Sequence, residues 1–443
     1  MGVATPDVLP GRRRVLAALG GGALLCGLAP LARAQAAPSP VVVLTSYPEE
    51  MMSRFEAAFE RAHPQYRLQL RWRRPSDALT DLLKPGQDGV DVYWAASPRT
   101  FERLKETKAL QTLGIDLSGL PAKLGGTRIS DVDGLFVATE LAGYGYVYAP
   151  AELARLGVPV PQDWRDLADP RLAGRIALPD PSRVGFAPVL VDIVLQAYGW
   201  EAGWALWSEI AGLSTLIRSG GGRVAEEVGP GRAAIGLSID FFVAAAIAGG
   251  APLRFAYPLH GGINPAHVAL TAGAPNPAGG RAFAAFLLSE EGQRLLAAED
   301  IRKLPVRPSV YATLPAGYHD PFAAAAAGGY AYDNEAGRAR LTLVATLFAQ
   351  MFIQGEQGHE RYVALWSRIH AAERAGRDLR QIRALLGTPP LSERAAADPA
   401  LLALFRERFE GESAELERIE VGWQWEAVKA WGEAERRLAA LGA

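Results

Sequence analysis

Leu178-Pro-Asp-Pro-Ser-Arg-Val-Gly-Phe-Ala-Pro188 decides how the chain is read. An apolar run, Gly174 to Leu178, leads into it, and a longer one, Val189 to Gln196, leaves it. Pro188 suits the first position of a helix, where a missing N–H costs nothing. Ser182 and Arg183 therefore fall in a turn between a strand and a helix. Such a turn gathers unpaired backbone N–H groups, the positive end of a helix dipole, a hydroxyl and a guanidinium, a combination that attracts anions. Taken alone, Ser182 reads first as a local cap in an ordinary strand-to-helix turn, because serine is favoured there for its own sake.

The same arrangement recurs along the chain. Apolar runs end near Ser46, Ser97, Ser182, Ser219 and Ser238, and each hands over to a helical pattern. In open α/β sheets, ligands sit beyond the carboxyl ends of the strands. Two lobes with facing strand ends would place these serines around one cleft. Val41–Thr45 reads as a continuously apolar strand of a parallel sheet and Val90–Ala95 as the next strand, with helices opening at Pro48, Ser76 and Pro98. Glu140–Tyr148 alternates tyrosines with small residues and reads as a strand leaving this first lobe. A second α/β pattern follows, with strands at Leu213–Ile217 and Ala233–Ser238. Pro252–Tyr257 and Ala266–Leu270 read as returning strands. Arg281–Ala297 is an amphipathic helix, residues 299–340 are mostly irregular, and Leu341–Leu438 is helical throughout. The expected division is a first lobe over 38–145 and 257–330, a second over 146–256, and a helical extension over 335–443.

Composition narrows the function classes. Net charge is −2, so nothing global favours nucleic acid, and no nucleic-acid partner is expected. Residues 1–34 carry Arg12-Arg13-Arg14, an apolar stretch and Ala32-Arg33-Ala34. That is the pattern of a secretory signal, with cleavage expected after Ala34. Paired arginines followed by x-Val-Leu fit the twin-arginine route. Cys26, the sole cysteine, lies in this segment, so neither disulfides nor a cysteine metal site are expected in the mature chain. No cofactor is expected. The six histidines lack metal-ligand spacing and no G-x-S-x-G elbow occurs, so catalysis is not expected.

The candidate contacts divide between the lobes. Ser46, Tyr47, Ser97 and Tyr144 belong to the first. Ser182, Arg183, Gly185, Ser219, Gly220 and Arg223 belong to the second, and Gly220-Gly221-Gly222 would let backbone approach a ligand closely. Asp240 reads either as a helix cap or as a contact to a hydroxyl or amine. Asn264 would read the non-anionic end of the solute.

Ala177–Arg183, Gly199-Trp-Glu-Ala-Gly-Trp204, Asn264-Pro-Ala-His-Val-Ala-Leu270 and Ala282–Arg294 resemble segments of type II periplasmic solute-binding proteins of ABC importers. The likeness is to the iron(III)/phosphonate/sugar-phosphate branch. The tail, with Leu379-Arg-Gln-Ile-Arg-Ala-Leu-Leu386, narrows it to the phosphoglycerate transport regulatory group. The resemblance implies a two-lobed α/β fold with hinge strands and a C-terminal helical extension. It also implies a monomeric periplasmic receptor closing on a small anionic, phosphorylated solute, with ABC permease subunits as partners and a membrane sensor kinase as another. Two departures stand out. Iron binders of this branch use adjacent tyrosines, whereas Tyr330-Ala-Tyr332 is spaced by one. A serine-rich turn of the phosphoglycerate relatives is replaced by Ser219-Gly-Gly-Gly. A ferric receptor using Tyr144, Tyr330 or Tyr332 is the alternative, and a kinase-sensing partner or an enzyme on the same fold are others.

Overall fold

The computed structural model describes residues 37–406 and 413–442. The expected signal segment, its arginines and Cys26 lie outside the described residues. Thirteen strands appear among those described. They are β1 (Ser39–Thr45), β2 (Tyr66–Trp72), β3 (Val92–Ala95), β4 (Leu110–Gln111), β5 (Lys123–Leu124), β6 (Thr127–Arg128), β7 (Phe136–Tyr148), β8 (Ile176–Pro179), β9 (Ser214–Ile217), β10 (Ile235–Ile239), β11 (Arg254–Ala256), β12 (Ile263–Thr271) and β13 (Leu304–Pro305). The main sheet runs β2-β1-β3-β12-β7-β10-β8-β9.

β7 is the hinge of this order. Its first eight residues pair antiparallel with β12 from Phe136 to Gly143, and its last five pair with β10 from Tyr144 to Tyr148. Every residue up to Val147 is buried, which explains an apolar, small-residue composition over thirteen positions. On the first side β1 runs parallel to β2 and β3, and Val41 to Thr45 are buried on both faces. On the second side β8 runs parallel to β10 and β9. Helices cover both sides, giving a mixed α/β molecule with two sheet halves.

Three expectations change. β11 does not return to the first lobe; it pairs with Tyr146–Tyr148 of β7 in the second half, and only β12 returns. The helix expected over Arg281–Ala297 is two, Pro277–Leu288 and Glu290–Leu295. Ser289 between them is extended and accepts the Gly292 N–H on its hydroxyl, so a capping residue stops one helix and starts the next. Ser238 stands one residue before the end of β10, which hands over to the helix Asp240–Ala248 as expected, but its hydroxyl does not reach the cleft. It is fully buried inside β10.

The tail shares a core with the second half. The helix Leu341–Phe352 lies on the helices Ala187–Tyr198 and Trp200–Gly212. Trp207 meets Phe348 edge-on at 5.5 Å, and Trp204 sits 6.1 Å from Phe352. The Ser208 and Tyr362 hydroxyls share a buried hydrogen bond of 2.6 Å. Arg340 donates to the fully buried Asp192 at 2.6 Å. Gly212 is needed here: a Cβ on it would fall 2.1 Å from Trp366 Cδ1. Trp366 and Trp431 complete an aromatic layer in which Tyr362 and Trp431 are 5.1 Å apart. Among the described residues, no helix is long and apolar enough to cross a membrane.

Candidate functional site

A cleft of about 800 Å³ lies between the two sheet halves. The first half contributes Ser97, Arg99, Tyr144 and Asn264, among others; the second contributes Arg183, Gly185 and Gly220. Arg99 occupies the first turn of the helix Pro98–Glu106, directly after β3, and its side chain makes no ion pair or hydrogen bond with the described residues. Arg183 stands in the turn after β8, 64% exposed, with Asp180 no nearer than 3.9 Å. Two guanidiniums therefore face the cleft from opposite sides with their hydrogen-bonding capacity largely unspent. Other cations along the wall are neutralised: Arg338 by Glu102 at 3.1 Å, Arg128 by Glu335 at 2.7 Å and Lys105 by Asp131 at 2.5 Å.

The turn after β8 is built around Asp180, which is 1% exposed. Its carboxylate accepts the Ser182 N–H at 2.8 Å and the Ser182 hydroxyl at 2.6 Å, and its carbonyl accepts the N–H groups of Arg183 and Val184. The Ser182 hydroxyl is thus spent locally. The next two amides, of Gly185 and Phe186, have no acceptor within the described chain, nor have those of Gly220 and Gly221 in the turn after β9. Gly220 reaches its place with φ of +61°, a conformation suited to glycine.

The remaining expected contacts stand elsewhere. Ser46 is half-buried after β1 and lies outside the cleft lining. Tyr47 is buried, donates its hydroxyl to the fully buried Glu140 and packs edge-on against Trp94 at 4.9 Å. Lys303, 3.8 Å from Glu140, places its ammonium over the Tyr47 ring at 4.8 Å. Ser219 and Arg223 face a separate depression of about 410 Å³ beside β9, where Arg223 pairs with Glu226 at 2.9 Å. Ser97 does line the cleft, sharing a 2.8 Å hydrogen bond with Thr100. Asn264 faces the cleft with its amide unengaged by the described residues.

Asp240 turns inward to the hinge. Its carboxylate accepts the Gly143 N–H of β7 at 2.8 Å, the Tyr257 hydroxyl at 2.9 Å and its own helix's Phe241 N–H at 2.6 Å. Tyr257 stacks on His319 at 3.7 Å, and His319 is hydrogen-bonded to the Tyr330 hydroxyl at 2.6 Å. Burial raises the Asp240 carboxyl to about 6, against the pull of these donors and of Lys303. Between about pH 4 and 6 the folded protein holds a proton here that the unfolded chain has released. Asp240 therefore contributes most to stability below pH 4, and the contribution declines by about 3 kcal/mol as pH rises through 6. Melting temperatures of the wild type and Asp240→Asn, followed from pH 4 to 7, should show the wild type losing ground over that interval. A difference independent of pH would remove the assignment.

His267 was noted in the sequence only as one of six histidines. It lines the cleft, 5% exposed, between Phe101 at 5.3 Å and Phe136 at 5.2 Å. Burial lowers it to about 3, so it is neutral, and its Nδ1 has no partner among the described residues. Tyr144 is likewise buried, which raises its phenol. Among the described residues no group of three His, Cys, Asp or Glu side chains could hold a metal ion. Arg99, Phe186 and Phe242 were missed in the sequence, although Arg99 directly follows the Ser97-Pro98 step that was singled out.

Residues 88–354 match the family of bacterial extracellular solute-binding proteins. The phosphoglycerate transport regulatory protein PgtC of Salmonella typhimurium is 28% identical over 348 residues, which span 75% of this chain and 81% of that protein. Two solved structures share the fold. The periplasmic binding protein AfuA of Actinobacillus pleuropneumoniae, with fructose-6-phosphate bound, is 19% identical with a TM-score of 0.52, covering 70% of this chain and 99% of its own. Iron-bound HitA of Pseudomonas aeruginosa is 16% identical with a TM-score of 0.54, covering 69% and 99%.

Proposed function

The chain belongs to the bacterial extracellular solute-binding proteins, and from that premise we propose that it captures a small anionic solute, of the phosphate-ester class, by hinge closure. The observation that carries this reading is the pair Arg99 and Arg183. They face one cleft from opposite lobes with their donors unspent, while the other basic groups along the wall are neutralised. A dianionic head between them would accept paired, charge-assisted hydrogen bonds. The free amides of Gly185, Phe186, Gly220 and Gly221 would add donors from the second lobe. The moving bodies are the lobes at 38–145 with 257–330 and at 146–256, the extension from 335 travelling with the second. β7 and β12 absorb the rotation, and Asp240 with Tyr257 holds the hinge.

The closed receptor would deliver its solute to the permease subunits of an ABC importer in the periplasm, without turnover. The name of the Salmonella relative speaks of phosphoglycerate transport and of regulation, which supports a phosphorylated anion as the ligand class; a membrane sensor kinase is proposed as a second recipient. The ferric alternative draws less support, because the Tyr330 hydroxyl is held by His319 while Tyr332 lies beside Asp192.

Thermal unfolding against 3-phosphoglycerate, sugar phosphates, aminoethylphosphonate, dicarboxylates and ferric citrate tests the reading. A phosphorylated anion at about a hundred times its dissociation constant should stabilise by about 2.7 kcal/mol. A response to ferric citrate alone overturns it.

A further inference from the structure

The wall contributed by the second lobe is apolar immediately beside its anion-seeking groups. Arg183, Gly185 and Phe186 lie on one turn, and Phe186 meets Phe242 with ring centroids 5.4 Å apart. Gly221 packs so closely on the Phe242 ring that a Cβ there would sit 2.5 Å from Cε2. The free amide of Gly221 and the ring edge therefore adjoin. Phe241 lies against Phe242 at 4.2 Å and also receives the Lys303 ammonium, 4.7 Å from its centroid. Among the described residues no such cation lies over Phe186 or Phe242, and both line the cleft half-buried. Val189 and Ile239 extend the same apolar surface.

Few neutral polar groups offset it. Thr127 and Asn334 are bonded to each other at 2.9 Å and Ser97 is bonded to Thr100, while Asn264 keeps its amide unengaged by the described residues but stands on the first lobe, away from the phenylalanine wall. A polyol pressed against the phenylalanine wall could turn some hydroxyls to Asn264 but would leave those facing the rings without partners, which is costly. A flat apolar body would instead find rings in the offset or edge-on arrangements that aromatic pairs prefer.

From this juxtaposition we infer that the solute is an aromatic anion, with a phosphate-type head between Arg99 and Arg183 and a ring against Phe186 and Phe242. The inference rests on the anionic-solute reading above and narrows it. Calorimetry of the purified protein with charge-matched probes tests it. Phenyl phosphate should bind about tenfold more tightly than glycerol 3-phosphate or 3-phosphoglycerate. Phe186→Ala and Phe242→Ala should erase that preference, read as the ratio of phenyl phosphate to glycerol 3-phosphate affinity in each variant. Equal or tighter binding of the polyol esters overturns the aromatic body and leaves the anion reading intact. Failure of every phosphate ester to bind overturns both. The wild-type ratio decides even if a phenylalanine variant does not fold.

Discussion

Arg183→Ala should weaken anion binding by about tenfold or more, and Arg99→Ala should do the same from the other lobe. A hydrogen bond to a charged group contributes about 1.5–3 kcal/mol, and each guanidinium offers several in a rigid fork. Folding should be unaffected, because Arg99 has no partner to lose among the described residues and Arg183 has only a distant one. Lysine at either position keeps the charge and loses the paired geometry, so it should rescue only part of the loss. The double variant supplies a sharper measurement. If both arginines grip one head group, their effects will be coupled, and the double-mutant cycle will depart from additivity by more than about 0.5 kcal/mol. Arg223→Ala serves as the control, since that guanidinium pairs with Glu226 and faces the other depression. Calorimetry giving wild-type affinity for both single variants would return the turn at 178–188 to a purely structural role.

A chain ending at Arg340 should fail to fold its second lobe. Trp204, Trp207, Leu195 and Ile210 are each at most 2% exposed, and the tail helices contribute much of the core they share. Uncovering a large apolar side chain costs about 1.5–3 kcal/mol. Several at once reach the order of 10 kcal/mol, within the whole margin of a typical domain, about 5–15 kcal/mol. The truncated protein should lose near-ultraviolet dichroism, bind hydrophobic dyes and aggregate. A cooperative melt within a few degrees of the full chain would show that the lobe stands alone. Arg340→Ala is the milder form of the same experiment. It leaves Asp192 buried without its cation, and removing one partner of a buried pair costs about 3–5 kcal/mol.

Sequence patterns disclosed the strands well because most are buried on both faces. Val41–Leu44 and Val92–Ala95 read as unbroken apolar runs and are strands. The site was harder to read, because its membership depends on where a side chain points after long-range pairing. The rule of a serine at a strand end holds for position, but a hydroxyl can be claimed locally. Asp180, two residues before Ser182, claims that one. Asp240 binds Gly143, ninety-seven residues earlier, a partner that no local pattern reveals. Arg99 was not singled out, since nothing in the sequence marks which arginines will lack acidic neighbours in space. Phe186 falls inside the quoted turn and Phe242 in an apolar run, and nothing local singles either out. Helical periodicity reports that a face is apolar, and it does not report that the face borders a cleft.

The placement of the indoles has an optical consequence. Of ten tryptophans, Trp164, Trp200, Trp204 and Trp207 lie in the second lobe, and Trp366, Trp423, Trp425 and Trp431 in the tail. Trp94 is sealed in the first lobe, while Trp72 and Trp425 are exposed. No indole lines the cleft. Intrinsic emission is therefore a reporter of the lobe-two and tail core, dim to solute in the cleft and bright to loss of that core. A fluorescent signal of capture must be installed, and the phenylalanine wall at 186 and 242 is the place for an indole that would see it.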